Sequence, residues 1–298
     1  MIILNIKVSS VFTNDTKDEN FIYYNDLNTA LKNVKEYDTI YLLNEEYFGK
    51  FYLDTPNITI IGDNSVIAYD AYHAMIKRKC DGGDGVKTYG TTGSASLTIL
   101  ENAKNLVMKN VTVKNLFNGE IKKGRQAVAF KTEADNGTYL DCKFNSNQDT
   151  LYVEGIDNYF YNCEISGDVD FIFGSGKAIF DKCLIYPTFS NKEKSYISAP
   201  NSFYDLGLLF YRCKVFGDNL EIYLGRPWFP SGAKQQVMPK ALFYQCEMND
   251  KINMCYKKMH DSDPDYHECY YYECNNKSNA PRYIVEEYLK YYQEKVNK

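Results

Sequence analysis

Tyr139-Leu140-Asp141-Cys142, Phe160-Tyr161-Asn162-Cys163 and Phe180-Asp181-Lys182-Cys183 repeat one phrase. It returns as Phe210-Tyr211-Arg212-Cys213 and Phe243-Tyr244-Gln245-Cys246, and Tyr271-Tyr272-Glu273-Cys274 is a last copy. Each copy sets an aromatic residue three positions before a cysteine. The next-but-one residue after the cysteine is apolar: Phe144, Ile165, Ile185, Val215 and Met248. Successive cysteines, from Cys142 to Cys246, lie 21, 20, 30 and 33 residues apart. A period of about 20 residues, lengthened by insertions, is the signature of a solenoid.

The segments inside each period are short and β-branched. Asn57-Ile58-Thr59-Ile60-Ile61-Gly62 alternates and stops at glycine, and Leu106 to Val113 behaves in the same way. Such runs, bounded by Gly, Asn and Asp, read as strands and turns. A 20-residue period leaves no room for a helix in every turn, so the chain is expected to be all-β, a parallel β-helix. The cysteines then stack inside it as a ladder of buried free thiols, a packing role. Solenoid ends need caps. Leu27, Ala30, Leu31 and Val34 recur at helical spacing after Asn25-Asp26, which predicts a capping helix within residues 1–38. Ile284, Val285, Tyr288, Leu289 and Tyr292 predict a second helix over 282–298. Residues 1–298 are read as one solenoid domain.

Composition narrows the function classes. The net charge of −5 and the lack of a basic face argue against a nucleic-acid partner. No apolar run reaches the ~18 residues of a membrane span. The apolar start, Met1 to Ile6, reads as a first strand, with no basic region or small-residue cleavage site of a signal peptide. Nine cysteines, none in a Cys-x-x-Cys pair, give neither a zinc pattern nor a disulfide framework, and they suit a reducing compartment.

The solenoid period also orders two carboxylates. Asp149 follows Cys142 by seven residues, and Asp170 follows Cys163 by seven. On neighbouring turns they lie about one strand spacing, roughly 5 Å, apart. Two acids so close resist ionising together and divide acid and nucleophile roles. Gln126 lies 22 residues before Gln148, so Gln126, Gln148-Asp149 and Asp170 form a stripe over three turns. Glutamine amides are donors suited to a developing oxyanion. Competing chemistries are poorly supported. The histidines are His73, His260 and His267, the last two in a polar loop, and no Gly-x-Ser-x-Gly elbow or phosphate loop is present.

These segments resemble the pectin methylesterase (pectinesterase) family. Gln-Asp-Thr-Leu-Tyr at 148–152, Val-Asp-Phe-Ile-Phe-Gly at 169–174 and Leu-Gly-Arg-Pro-Trp at 224–228 match its signature blocks in order, after Gln126-Ala127-Val128-Ala129. Gly90 to Thr98 resembles its substrate-side loop. The resemblance covers most of residues 40–250 and implies a right-handed parallel β-helix. It implies that Asp170 attacks the methyl-ester carbonyl of a galacturonate unit. Asp149 is then the acid that protonates departing methanol and the base that activates water. Gln126 and Gln148 hold the oxyanion, and Arg226 orients Asp170. Trp228, Phe173, Tyr152, Tyr223 and Thr92 line the substrate site. The resemblance requires no metal and no organic cofactor. Its partner is pectin or a methylated oligogalacturonide, and a monomer is expected.

Departures from the family pattern are local. Gly167-Asp168-Val169-Asp170 stands where the family usually has Gly-Thr-Val-Asp. In an extended segment Asp168 shares a face with Asp170, which raises the Asp170 pKa unless Asp168 turns to solvent. Trp228 is the only tryptophan, so a late Gly-Trp pair is missing, and the Lys- and Tyr-rich stretch 251–281 matches poorly. Most of the family is exported, so location stays open between a mature exported form and a cytoplasmic protein. Two alternatives accompany the esterase reading. One is a calcium-dependent pectate or pectin lyase using Asp149, Asp168 and Asp170 as metal ligands. The other is a non-catalytic polysaccharide-binding β-helix.

Overall fold

The computed structural model describes residues 5–276 apart from 15, 122, 189–193, 204–205, 218–220, 231–236, 249–251, 253, 264–270 and 275, and without the side chains of 254–255 and 271–274. Its unit is a turn of three short strands. Thr138–Leu140, Lys143–Asn145 and Leu151–Val153 make one such turn, and Asn158–Tyr161, Glu164–Gly167 and Val169–Gly174 make the next. Each strand pairs in parallel with its counterpart one turn away: Tyr139 with Phe160, Phe144 with Ile165, Tyr152 with Phe173. The result is three parallel ladders, hence three faces. The first runs from Asn5–Val8 to Tyr271–Cys274, and the third from Phe51–Leu53 to Met254–Tyr256. The second runs from Glu46–Phe48 to Glu247–Met248. The expected parallel β-helix is therefore the fold.

Corners set the repeat. The residue before each ladder cysteine is left-handed: Asp141, Asn162, Lys182, Arg212 and Gln245, with φ between 51° and 55°. That conformation is unfavourable for non-glycine residues but allows a sharp bend between the first and second faces. It turns Cys142, Cys163, Cys183, Cys213 and Cys246 inward, all buried and free. Each thiol donates to a main-chain carbonyl one turn earlier, at 3.1–3.4 Å; the acceptors are Met108, Tyr139, Phe160, Phe180 and Phe210. Burial pushes the Cys142, Cys163 and Cys213 thiols well above their ordinary range, so they stay protonated as donors. Beside them Tyr139, Phe160, Phe180, Phe210 and Phe243 stack with centroids 4.2–4.9 Å apart. Stacking at one-rung spacing adds to the area each ring buries. The cysteine ladder is thus structural, as its period indicated.

At the N-terminal end the helix expected from Leu27, Ala30, Leu31 and Val34 forms over Leu27–Asn33. Asp26 caps it, accepting from the Thr29 amide at 2.8 Å. Its Leu27, Ala30 and Leu31 close the apolar core at that end. The helix expected over 282–298 lies outside the described residues.

Candidate active site

Asp149 and Asp170 sit where the second face turns into the third. Both backbones are left-handed, with φ 66° and 52°. The Asp149 amide donates to the Val169 carbonyl at 3.0 Å, which holds the two corners in register. The strand carrying Asp170 is irregular: Val169 pairs with Tyr196 and Ile172 with Ser198, so one extra residue is accommodated between them. Such a bulge re-aims the side chain it carries. Gly174 ends that strand at φ 125°, and a side chain there would collide with the Val153 carbonyl. Asp149 and Asp170 are 8% and 6% exposed, opening only into a cleft of ≈ 550 Å³.

The two carboxylates have different surroundings. Arg226 grips Asp170 with a two-pronged fork, Nε to Oδ1 and Nη2 to Oδ2, each 2.7 Å. A bidentate guanidinium fixes a carboxylate's charge and direction. Arg226 follows Gly225, whose missing side chain allows close approach to Ser198, and its guanidinium lies 4.2 Å above the Tyr196 ring. Asp149 has no such clamp. Burial first, and the Asp170 charge second, push its carboxyl well above the usual carboxylate range. Arg226, hydrogen bonding from Gln148 and the charge of Arg125 act in the other direction without overcoming that rise. One acid is clamped by a guanidinium, and its neighbour is biased toward protonation.

Gln126 and Gln148 reach the same cleft on successive turns, tied by the Ala127 amide donating to the Gln148 carbonyl at 3.0 Å. The buried Gln126 Oε1 makes no hydrogen bond among the described residues. The aromatic wall is Tyr152 stacked on Phe173 at 4.3 Å, with Trp228 edge-on, 5.9 Å from Phe173 and 6.4 Å from Tyr152. Gly90, Thr91 and Thr92 also line the cleft. Such a wall suits the apolar faces of sugar rings and a methyl group.

Two expectations need correction. Tyr223 does not line the cleft: its ring is buried against Tyr196 at 5.1 Å and its hydroxyl donates to Glu221 at 3.0 Å. It supports the ring beneath Arg226. Asp168 neither turns to solvent nor shares a face with Asp170. It is 1% exposed and ion-paired with Arg125, because the left-handed Asp170 and the bulge break strand alternation. The three acids of the calcium alternative are therefore not assembled. Among the described residues, no group of three or more His, Cys, Asp or Glu side chains gathers as a metal site. The cleft also includes Tyr89, Ala199, Met259 and His260, which no spacing in the chain connected to it. His260 belongs to a polar stretch in the sequence yet lines the cleft, and His267 lies outside the described residues. No described helix is long and apolar enough to cross a membrane.

Fold and site together define a parallel β-helix protein with a paired-carboxylate cleft on one face. The chain belongs to the pectinesterase family, whose profile matches residues 15–286. Pectinesterase 31 of Arabidopsis thaliana is 30% identical over 198 residues, 65% of this chain and 57% of that protein. Pectinesterase QRT1 of the same organism is 34% identical over 179 residues, 58% of this chain and 45% of that protein. The chain thus spans about half the length of these curated relatives. Among solved structures, a pectin methylesterase from Yersinia enterocolitica aligns with TM-score 0.79 and 27% identity over 90% of this chain and 96% of that one. A pectin methylesterase in complex with hexasaccharide VII shares the fold, with TM-score 0.83 and 22% identity over 98% of this chain and 96% of that one.

Proposed function

We propose that the chain is a pectin methylesterase, which hydrolyses methyl esters of galacturonate units to free carboxylates and methanol. The observation that carries this reading is the asymmetry of the acid pair: Asp170 in the Arg226 fork, Asp149 buried and unclamped. An Asp170 oxygen attacks the ester carbonyl carbon, and the C=O electron pair moves onto oxygen. The Gln126 and Gln148 amides donate to that oxyanion. Asp149, protonated, passes its proton to the methoxy oxygen as the carbon–oxygen bond breaks and methanol leaves. An acyl-enzyme anhydride to Asp170 remains. Asp149, now a carboxylate, takes a proton from water, whose oxygen attacks the anhydride. Asp170 departs as a carboxylate and Asp149 is protonated again. Asp149 is thereby restored to its starting protonation state, and the second proton of the water leaves on the product carboxyl group, which ionises in solvent.

Family membership supports the substrate class, and the hexasaccharide held by a relative of the same fold supports an extended sugar chain in the cleft. Tyr152, Phe173, Trp228 and Thr92 are the wall and rim for that chain. The test is methanol release from methylated pectin by the wild-type chain, Asp170→Asn and Asp149→Asn, with folding followed by circular dichroism. Loss of release by orders of magnitude in both folded variants is expected. Near-normal turnover in either would overturn its role. An unsaturated product absorbing in the near ultraviolet would favour the lyase.

A further inference from the structure

The Arg125–Asp168 pair has no part in the roles above. Arg125 is 8% exposed, and its Nη2 donates to Asp168 Oδ2. Two charges brought so deep are unfavourable unless they meet and their remaining polar atoms are satisfied. Arg125 Nε and Asp168 Oδ1 are buried and make no hydrogen bond among the described residues. A small hydroxyl residue, as in the family pattern, would fill position 168 at less cost. The position of the pair in the chain suggests why it is kept. Arg125 immediately precedes Gln126, and Asp168 lies two residues before Asp170. The Asp168 amide donates to the Asn147 carbonyl at 3.0 Å, next to Gln148. Its own carbonyl accepts from Tyr196, the residue whose ring carries Arg226.

We propose that Arg125 and Asp168 are positioning residues: a buried charge pair that locks the Gln126 segment to the Asp170 segment and holds a compensated positive charge beside Asp149. The inference deepens, and rests on, the reading of Asp149 as the acid. Asp149 is acted on by Asp170 from the following turn, Arg226 from the end of Glu221–Gly225, and Arg125 from the preceding turn. Tyr152 on its own turn interacts with it, and Tyr89 and His260 share the cleft. Of these, Arg125 is the charge with its own buried counter-ion outside the cleft. Asp168 offsets the Arg125 charge, so the two substitutions have opposite effects on Asp149. Asp168→Asn leaves the guanidinium uncompensated and favours the Asp149 carboxylate. Arg125→Met removes the cation, leaves the Asp168 charge, and favours protonated Asp149. The double variant removes both charges and returns Asp149 close to its wild-type behaviour.

The test is a double-variant cycle with two readouts. The first is the carbon-13 carboxyl titration of Asp149 by NMR. The second is the alkaline limb of methanol release, where the acid loses its proton. Asp168→Asn is expected to move both down by about half a pH unit or more, Arg125→Met to move both up by a similar amount, and the double variant to cancel most of the shift. A merely structural pair would lower stability in both single variants without opposite titration shifts. Unchanged Asp149 titration in all variants, or shifts of the same sign in both, would overturn the proposal. Should Arg125→Met fail to fold, the double variant must still titrate above Asp168→Asn. If the wild-type chain released no methanol, the function would be overturned, while the carboxyl titration would still decide the pair.

Discussion

Two corners of the same solenoid turn have nearly the same backbone and opposite chemistry. At the first, Asp141 and Asn162 are left-handed, and the next residues, Cys142 and Cys163, turn inward among stacked rings. At the second, Asp149 and Asp170 are left-handed, and their own side chains open into a cleft. Both corners repeat at one-turn spacing, so each multiplies whatever it carries. Inward, repetition brings uncharged groups together and gives a thiol and aromatic ladder. Outward, it brings two carboxylates together, and the charge of Asp170 adds to burial in raising the proton affinity of Asp149. A repeat built for packing becomes a reactive device when the stacked groups are titratable and one alone receives a counter-ion.

The comparison is broken most severely at the second corner. Asp170→Asn is expected to lower methanol release by ~10³-fold or more with the fold retained, as judged by turnover and far-ultraviolet circular dichroism. Gln126→Ala follows, with about 2–4 kcal/mol added to the barrier, read as a fall in kcat with a small change in KM; a wild-type rate would remove Gln126 from the site. At the first corner the effect changes kind. Cys163→Ala is expected to lower stability by about 1 kcal/mol, through a lost thiol bond and a small void, measured by urea unfolding. Turnover per folded molecule should stay near wild type, and a specific loss of activity would mean that the ladder is not only packing.

Proton linkage sharpens the contrast. The folded-state pKa of Asp149 is raised, so its contribution to stability is fully present below its unfolded value, near 4, and is lost as pH rises through the folded value. Asp149→Asn should therefore stabilise the protein at neutral pH, with the gain shrinking as pH falls toward about 4, while activity is lost. Equal gains at both pH values in urea titrations would contradict the assignment. The smallest effect is expected from Tyr223→Phe, which removes one part-buried hydroxyl bond to Glu221 and costs about 0.5 kcal/mol with turnover nearly unchanged.

How far the chain could be read follows from which contacts its period encodes. The β-helix, the cysteine ladder and the Asp149–Asp170 register were legible because each repeats at one turn. Gln126, Gln148 and Arg226 were placed by motif and meet in one cleft. What escaped has no period. The fate of Asp168 depends on Arg125, 43 residues earlier, and on a left-handed residue inside a strand that propensity reads as extended. Met259 and His260 reach the cleft from a stretch without the repeat, and only the tertiary course of the chain brings them there. Tyr223 sits next to a motif residue, and proximity in sequence does not tell which side of a strand faces the substrate.

The exposed side chains at the first corner have one more consequence. Asp141, Asn162, Lys182, Arg212 and Gln245 form a column along an edge that does not line the cleft. Asn162 already reaches Asp141, its amide donating at 2.7 Å. The backbone there demands a dihedral rather than a particular functional group, so this column is a graduated scale on the outside of the protein. Probes attached along it would sit at steps of roughly 5 Å, and would report stretching or fraying of the solenoid rung by rung without touching the cleft.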